Sequence, residues 1–416
     1  MLATRRFRPL AAVVILVVLA AGPIMAADDP PAVTWEQVVK LADAHPGMGK
    51  TQALVGAAKV GVGLARQVPN PDVTLDMGYG ESNENGDAAL VWGLELGIPL
   101  DWIGEKKPEV KQAKSKLQAA AYEAQATQSE ILGGLRTLYV MIGFDQASRR
   151  ALEEMQGQVG QLAETARLRV DKGEAAPDEL TRVEVEFEKT GLAVAGAESQ
   201  AALHRQILDL ALGGKLPDDF TVEFDLENLP ELPPLDKLLA EVPAGHPAVK
   251  AQAEKIKAAQ AAVGVEKGKL FPGVAVGAFY EQEVDVKDAG AFLGLTLPLW
   301  NWNKGGIAAA KAEVAAAGFD KELAILDLKS SILKAHAAAG QARASALTYR
   351  DSILPKMEEA TASLEKKYKT GDSDLSSVLD ARRKLIEVEI EYLRILFDFH
   401  AAIVELETLS GGNTSW

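Results

Sequence analysis

The sequence LVWGLELGIPLDW spans residues 90–102 and alternates between large apolar and small or polar side chains. The segment AFLGLTLPLWNW at 291–302 repeats this alternation in the second half of the chain. A period of two places the apolar side chains on one face of a β-strand and the others on the opposite face. A second alternating run precedes each segment, at 73–79 and 274–280, across a polar connection. These segments predict two β-hairpins, over 72–101 and 273–300.

The remainder of the chain has the composition of a helical protein. Of its 416 residues, 48% are hydrophobic and 6% aromatic, which favours long packed helices over a compact α/β core. The formal net charge of −15 argues against nucleic acid as a partner, because phosphate binding needs a basic face. The sequence contains no cysteine, which excludes disulfides and thiolate metal sites.

The N-terminus has the three parts of an export signal. Arginines at positions 5, 6 and 8 precede an apolar run at 10–21, and two alanines at 26–27 supply a cleavage site. The alternative is a membrane anchor, but the run is shorter than the ~20 apolar residues that a spanning helix needs. We therefore predict that residues 1–27 are a signal peptide and that the protein is exported.

Landmarks that recur in the same order, about 200 residues apart, predict an internal duplication. The predicted first repeat covers 28–214, a proline-rich linker covers 215–235, and the second repeat covers 236–412. No proline interrupts the sequence from about residue 109 to 170, which predicts a helix on the order of 90 Å long. The paired landmarks are His45-Pro46 with His246-Pro247, Pro71 with Pro272, Pro99 with Pro298, Gly173 with Gly371, and Gly213-Gly214 with Gly411-Gly412.

Two hairpins in a helical chain need a place to bury their apolar faces. Their strands have about the 9–11 residues that span an outer membrane. Trp102, Trp300 and Trp302 lie where the return strands end, as an interfacial aromatic girdle would. An open sheet edge is not viable in lipid, and two chains would give eight strands with a filled interior. Three chains would give twelve strands and a lumen, so we predict a homotrimer. The alternative is a soluble monomer whose hairpins pack on its own helices.

Short motifs are spread over essentially the whole mature chain: Thr34-Trp-Glu-Gln37 with His45-Pro46, Val68-Pro-Asn-Pro71, Ile98-Pro-Leu-Asp-Trp102 with its echo Leu297-Pro-Leu-Trp300, Tyr368-Lys-Thr-Gly371 and Val378-Leu-Asp-Ala381. These motifs resemble those of the TolC-type outer-membrane efflux proteins. The His-Pro and Pro-Asn-Pro features lean toward the heavy-metal efflux branch of that family.

The resemblance implies a fold class and a function. The fold would be mainly α with membrane β: duplicated long-helix repeats form a periplasmic α-barrel, and four strands per chain contribute to a trimeric 12-stranded outer-membrane β-barrel. The protein would be the exit duct of a tripartite efflux pump. It would passively conduct substrates from the periplasm to the exterior with a periplasmic adaptor and an inner-membrane transporter of the resistance-nodulation-division (RND) type.

The resemblance also implies functional residues. Asp380 matches one gate aspartate of the family, so three copies would form an acidic ring suited to a cation-selective constriction. The other gate acid falls at Ser377, which departs from the pattern, and Thr181 is the first-repeat match of Asp380. The alternative for Asp380 is an acid that complements the helix dipole. The helical tips would meet the adaptor, or carry only solvated charges, at Arg169, Lys172, Gly173, Lys369 and Gly371.

The sequence contains no recognisable catalytic or metal-binding pattern. Its five histidines lack metal-ligand spacing, and it has neither a nucleophile elbow nor an HExxH motif. We therefore predict a non-enzymatic channel with no cofactor and no metal site. The competing interpretation is a periplasmic coiled-coil adaptor, which should have one helical hairpin flanked by β-rich domains. The sequence leaves metal ions, drugs and proteins open as cargo.

Overall fold

The computed structural model describes residues 30–82, 86 and 88–411, so the predicted signal peptide lies outside the described residues. The first half contains β1 (Ala32–Val33), α1 (Trp35–Leu41), α2 (Pro46–Leu64), β2 (Asp72–Glu81), β3 (Ala88–Pro99), α3 (Ile103–Asp171) and α4 (Pro177–Ala211). The second half contains β4 (Thr221–Val222), α5 (Leu235–Gly245), α6 (Pro247–Gly268), β5 (Gly273–Gln282), β6 (Lys287–Thr296), α7 (Lys304–Thr348), α8 (Leu354–Thr370) and α9 (Leu375–Leu409). A π turn at Tyr349–Ile353 joins α7 to α8.

Local capping chemistry sets where the helices begin. Thr34 and Gln37 form a capping box at the start of α1, and the Asp374 carboxylate caps α9. His45 and His246 cap α2 and α6, because each ring Nδ1 accepts a hydrogen bond from the backbone N–H two residues later, at 3.1 and 3.2 Å. A side-chain acceptor at this position satisfies an otherwise unpaired helix donor. The recurring His-Pro pairs are therefore helix starts.

Two glycines reverse the chain at the far ends of the long helices. Gly173 follows α3 with φ +73°, and Gly371 follows α8 with φ +87°. Only glycine adopts this left-handed conformation without a steric penalty. The long helices therefore end, and the chain turns back, at these two landmark glycines. Helix α3 has 69 residues, which corresponds to about 100 Å, because it begins ahead of Pro108, before the proline-free run.

The helices lie side by side in a single layer that is four helices wide. Near the sheet the order is α2, α3, α6, α7, and farther away it is α4, α3, α9, with α7 and α8 last. Two positions in the layer are each filled by two helices placed end to end, α2 with α4 and α6 with α9. A Cβ on Gly213, after α4, would lie 3.4 Å from Ala44, and one on Gly411, after α9, would lie 3.4 Å from Pro247. The layer therefore has two free edges, α2 with α4 and α7 with α8.

The four long strands form one antiparallel sheet in the order β2–β3–β5–β6. The ladders between β2 and β3 and between β5 and β6 confirm the two predicted hairpins. In addition β3 pairs with β5, from Trp92 opposite Gln282 to Pro99 opposite Ala275. The hairpins therefore merge into one sheet, with β2 and β6 at its edges.

The second hairpin is shorter than predicted. Strand β6 ends at Thr296, so Leu297 and Leu299 do not continue the ladder. Pro298 has no backbone N–H to donate, and the N–H of Leu299 instead bonds the carbonyl of Leu297 at 2.9 Å. The alternation of side chains continues past the strand, but the hydrogen bonding stops at the proline.

The segment predicted as a linker, 215–235, packs against the helical layer. Strand β4 pairs in parallel with β1, and Phe220 and Leu226 are buried. His400 on α9 bonds the carbonyl of Leu226 through Nε2 at 2.9 Å, and the Tyr139 hydroxyl on α3 donates to the carbonyl of Glu223 at 3.2 Å. Side chains of the helices therefore pair with backbone groups of this segment that have no partner within it.

Candidate functional site

One face of the four-stranded sheet is apolar and exposed. Its side chains are those that the alternation predicted, and Tyr79, for example, is 85% exposed. A sheet face of this kind suits contact with lipid. The exposed large residues of this face are Val73, Leu75, Met77, Tyr79, Leu90, Leu94, Leu96, Ile98, Leu293 and Leu295.

The opposite face of the sheet is acidic. Gly93 of β3 lies between Asp76 of β2 and Glu281 of β5, and Glu281 pairs with Asp288 of β6. Three carboxylates therefore share one row across strands about 4.8 Å apart. Like charges in such cross-strand positions repel each other. No lysine or arginine of the described strands falls on this face, and its carboxylates are Asp72, Asp76, Glu95, Glu281 and Asp288.

Two phenylalanine rings on the acidic face lie over glycines of the neighbouring strand. A Cβ on Gly290 would come within 2.7 Å of the Phe279 ring, and one on Gly277 would overlap the Phe292 ring and the carbonyl of Leu96. The glycines leave room for rings that lie along the sheet. The rings therefore cover backbone that would otherwise face the acidic side.

The three tryptophans of the predicted girdle lie at one end of the sheet. Trp102 directly precedes α3, and its Nε1 donates to the carbonyl of Pro99 at 2.9 Å. Trp300 and Trp302 precede α7 and are 90% and 56% exposed. Since β3 and β6 run in the same direction, the structure brings all three to the junction between sheet and helices.

The two helical turns at the far end pack against each other through Arg169 and Tyr368. The Arg169 guanidinium lies 4.5 Å from the Tyr368 ring centre, and its Nη1 donates to the Tyr368 carbonyl at 3.1 Å. The buried Tyr368 donates its hydroxyl to Glu179 at 3.1 Å. Sequence reasoning missed Tyr368 and Glu179, although Tyr368 lies within the motif that carried the family resemblance.

Four of the five predicted tip residues are exposed, and one is not. Lys172, Gly173, Lys369 and Gly371 are open to solvent at the turns. Arg169 was expected to be exposed as well, but it is partly buried between the two turns because its guanidinium stacks on the Tyr368 ring. Its position therefore gives it a packing role that the sequence did not indicate.

Asp380 lies in the second turn of α9 with an exposed carboxylate. Arg383, one turn later, approaches it at 3.3 Å and also binds Glu186 of α4 through two bonds of 2.7 and 2.5 Å. Glu186 is buried, and its bonds to Arg383 lower the pKa of its carboxyl. Thr181, the first-repeat match of Asp380, lines the same groove of about 300 Å³. Asp380, the predicted gate residue, therefore accepts a hydrogen bond from Arg383, which the sequence analysis missed.

Histidines and carboxylates in the described part of the chain do not assemble into a metal site. Within those residues, no group of three or more such side chains could hold a metal ion. His204 and Asp145 do form a close pair, at 2.6 Å, and burial raises the pKa of Asp145 while His204 opposes that shift. None of the described helices has the length and apolar character to span a bilayer.

Comparison with known proteins identifies the family. The family model for outer membrane efflux proteins matches residues 38–214 and 238–412. The chain belongs to the outer membrane efflux protein family. It is an outer-membrane channel with a long periplasmic helical extension, and it serves as the passive exit duct of a tripartite efflux pump. The family resemblance, the fold class and the channel function predicted from the sequence are confirmed, and the adaptor alternative is not favoured.

Known relatives of this efflux channel include a metal-resistance protein. The cobalt-zinc-cadmium resistance protein CzcC of Cupriavidus metallidurans is 26% identical over 360 residues, which cover 84% of this chain and 83% of the relative. The solved structure of CusC aligns with a TM-score of 0.77 at 16% identity, over 90% of this chain and 91% of that one. The outer-membrane channel OprN aligns with a TM-score of 0.75 at 18% identity, over 91% and 90%. Channels of this family are trimers that work with adaptor and inner-membrane pump partners.

Proposed function

We propose that three copies of this chain form a cation-conducting duct, and that its cargo is metal cations. The acidic face of the sheet carries this proposal. If the apolar face contacts lipid, the acidic face lines the lumen, and each copy contributes five carboxylates and no base from its described strands. Acidic linings favour cations over anions in a narrow pore. The name of the relative CzcC, a cobalt-zinc-cadmium resistance protein, supports metal ions as the class of cargo.

The free edges of the sheet and of the helical layer support the trimer. Strands β2 and β6 would pair between copies, so three copies would close twelve strands. Helix α7 exposes Phe319, Leu323 and Leu326 along one stripe of its edge. Leu64 and Leu210 are exposed on α2 and α4, the helices that form the opposite edge. Repeated contacts between two different edges form a closed ring when the rotation per copy allows it.

We propose that Asp380 lines the constriction at the periplasmic end of the duct. Three copies near the axis would attract cations. The bond to Arg383 reduces the negative charge that each copy presents. This arrangement makes the strength of the acidic ring depend on how tightly Arg383 binds Glu186.

The proposed partners contact the two ends of the molecule. Outer-membrane lipid would cover the apolar sheet face, with Trp102, Trp300 and Trp302 at its periplasmic boundary. The exposed tips would meet the adaptor through Lys172, Gly173, Lys369 and Gly371, with Arg169 holding the two turns together. We propose an inner-membrane transporter of the RND type, and the sequence resemblance supports it.

We also propose the domain boundaries of the mature protein. Residues 1–27 are removed, and two structural repeats, 28–214 and 236–412, are joined by the packed segment 215–235. The two stretches matched by the family model support this division, as does the similar order of helices and strands in each half. N-terminal sequencing of the membrane-extracted protein tests the cleavage position.

Ion selectivity tests the proposed function. The purified protein is inserted into a planar bilayer under a KCl gradient, and the reversal potential gives the ratio of cation to anion permeability. We expect cation selectivity, and we expect the double variant Asp76→Asn with Glu281→Gln to reduce it. The double variant Glu36→Gln with Asp43→Asn, an equal charge change at exposed helical positions away from the sheet, should leave it unchanged. An anion-selective or unselective wild type would overturn the proposal.

Cargo and gate need separate measurements. Cells that lack their own metal exporters should gain tolerance to cobalt, zinc or cadmium only when the channel is expressed with a complete pump. If tolerance appears only toward uncharged solvents, metal ions are not the cargo.

The gate is tested by Asp380→Asn, which should weaken block of the channel by divalent cations applied from the periplasmic side. Unchanged divalent block in this variant would remove Asp380 from the constriction.

A further inference from the structure

We infer that the helical wall contains a groove that binds amphipathic organic cations as they pass along the duct. The groove has a volume of about 860 Å³ and lies between α3, α7 and α9. This volume falls within the range of small-molecule sites, about 300–1,000 Å³. The inference rests on the proposed duct, since it requires that this surface face the lumen, and it extends the cargo beyond inorganic ions.

Small side chains create the groove. Gly133 and Gly134 on α3, Ala342 on α7 and Ala401 on α9 line it. A Cβ on Gly133 would overlap the hydroxyl of Thr408, so α3 and α9 approach each other closely behind it. The lining residues next to this contact have little or no side chain. The result is an apolar surface that is recessed between helices.

The rim of the groove is acidic. Glu130, Asp398 and Glu405 line it, and no lysine or arginine does so among the described residues. Asp398 has an exposed partner, Arg394, at 3.5 Å, and such pairs contribute little. Glu130 and Glu405 form no ion pair within the described part of the chain. Apolar surface beside unpaired carboxylates complements a ligand that combines hydrocarbon with positive charge.

The groove lies on the face of the wall that is opposite the packed 215–235 segment. On α9, His400 contacts that segment, whereas Asp398 lines the groove. On α3, Tyr139 contacts it, and Thr137 lines the groove. Two residues correspond to about 200° around a helix. In the proposed duct the packed segment lies on the outer surface of the wall, so the groove on the opposite face lines the lumen.

Block of single-channel current by tetraphenylphosphonium, an amphipathic cation, tests this inference. The half-blocking concentration should rise about fivefold or more in Glu405→Gln, since losing a charge contact worth roughly 1 kcal/mol has this effect. Ala401→Leu should raise it similarly by filling the groove while keeping every charge. Tetramethylammonium, which lacks the apolar surface, should block the wild type and both variants equally and weakly.

Glu387→Gln is the matched control. Glu387 is exposed on the same helix, five turns from Glu405, and does not line the groove. Equal weakening by Glu387→Gln and Glu405→Gln would mean that only the general charge of the lumen matters. Unchanged block in both Glu405→Gln and Ala401→Leu would also overturn the inference. A wild-type channel without cation selectivity would instead refute the proposed function itself.

Discussion

Arg169 and Tyr368, one from each half of the chain, form a stacked pair at the periplasmic tip, with 4.5 Å between the guanidinium carbon and the ring centre. The Tyr368 ring is buried, and its hydroxyl reaches Glu179 in the first half. The pair therefore holds the α3–α4 turn against the α8–α9 turn. Contacts of this kind between the two halves of the chain determine how firmly the two turns of the tip are held together.

Tyr368→Phe should loosen the tip slightly and Tyr368→Ala should loosen it strongly. The first change removes one hydrogen bond, which costs about 1 kcal/mol. The second also removes a buried ring, which costs about 3–5 kcal/mol. Limited proteolysis of the detergent-extracted channel should show cleavage near residues 172 and 371 in the order wild type, Tyr368→Phe, Tyr368→Ala. Equal cleavage in all three would mean that Tyr368 does not hold the turns together.

Arg383→Met should destabilise the contact between α4 and α9. It leaves the buried Glu186 carboxylate without its cation, and an unpaired buried charge is costly, here about 1–3 kcal/mol because Arg383 is partly exposed. The double variant Glu186→Gln with Arg383→Met should recover much of the loss. Chemical denaturation at neutral pH measures all three, and a double variant less stable than Arg383→Met would contradict this account.

Acidification should destabilise the start of α6 through His246. Burial lowers the pKa of the ring below 6.5 in the folded protein. The unfolded chain therefore takes up the proton first, and stability falls as the pH drops below about 6.5. His246→Asn keeps a capping acceptor but does not titrate. Thermal unfolding at pH 7.5 and 5.5 should show a smaller difference in the variant, and an equal difference would exclude His246 as a contributor.

Gly277→Ala should impair formation of the sheet, whereas Gly294→Ala should be tolerated. A Cβ at Gly277 would overlap the Phe292 ring and backbone of the adjacent strand, while one at Gly294 would lie 3.7 Å from Ala275. Overpacking of this kind costs about 1–3 kcal/mol or more. Both glycines lie on the acidic face of neighbouring strands, so they form a matched pair. The fraction assembled in the outer membrane measures the effect, and equal assembly would contradict the predicted overlap.

Much of the fold could be predicted because its signals are local. The period of two at 90–98 identifies a strand and its apolar face. Gly173 and Gly371 mark the chain reversals because the backbone there needs a left-handed conformation. Thr34 marks a helix start because its side chain bonds the backbone N–H three residues later. Each of these effects acts within a few residues, so the order of residues alone is enough to determine it.

The tertiary structure decided which distant residues meet. The pairing of β3 with β5, the bond from Arg383 to Glu186, and the approach of Gly133 to Thr408 join residues far apart in the chain. Alternation shows which face of a strand is apolar, but it does not say which strand lies beside it. Likewise a glycine in a helix does not reveal its neighbour. Such contacts depend on how the helices and strands pack together, since only packing brings their side chains within bonding distance.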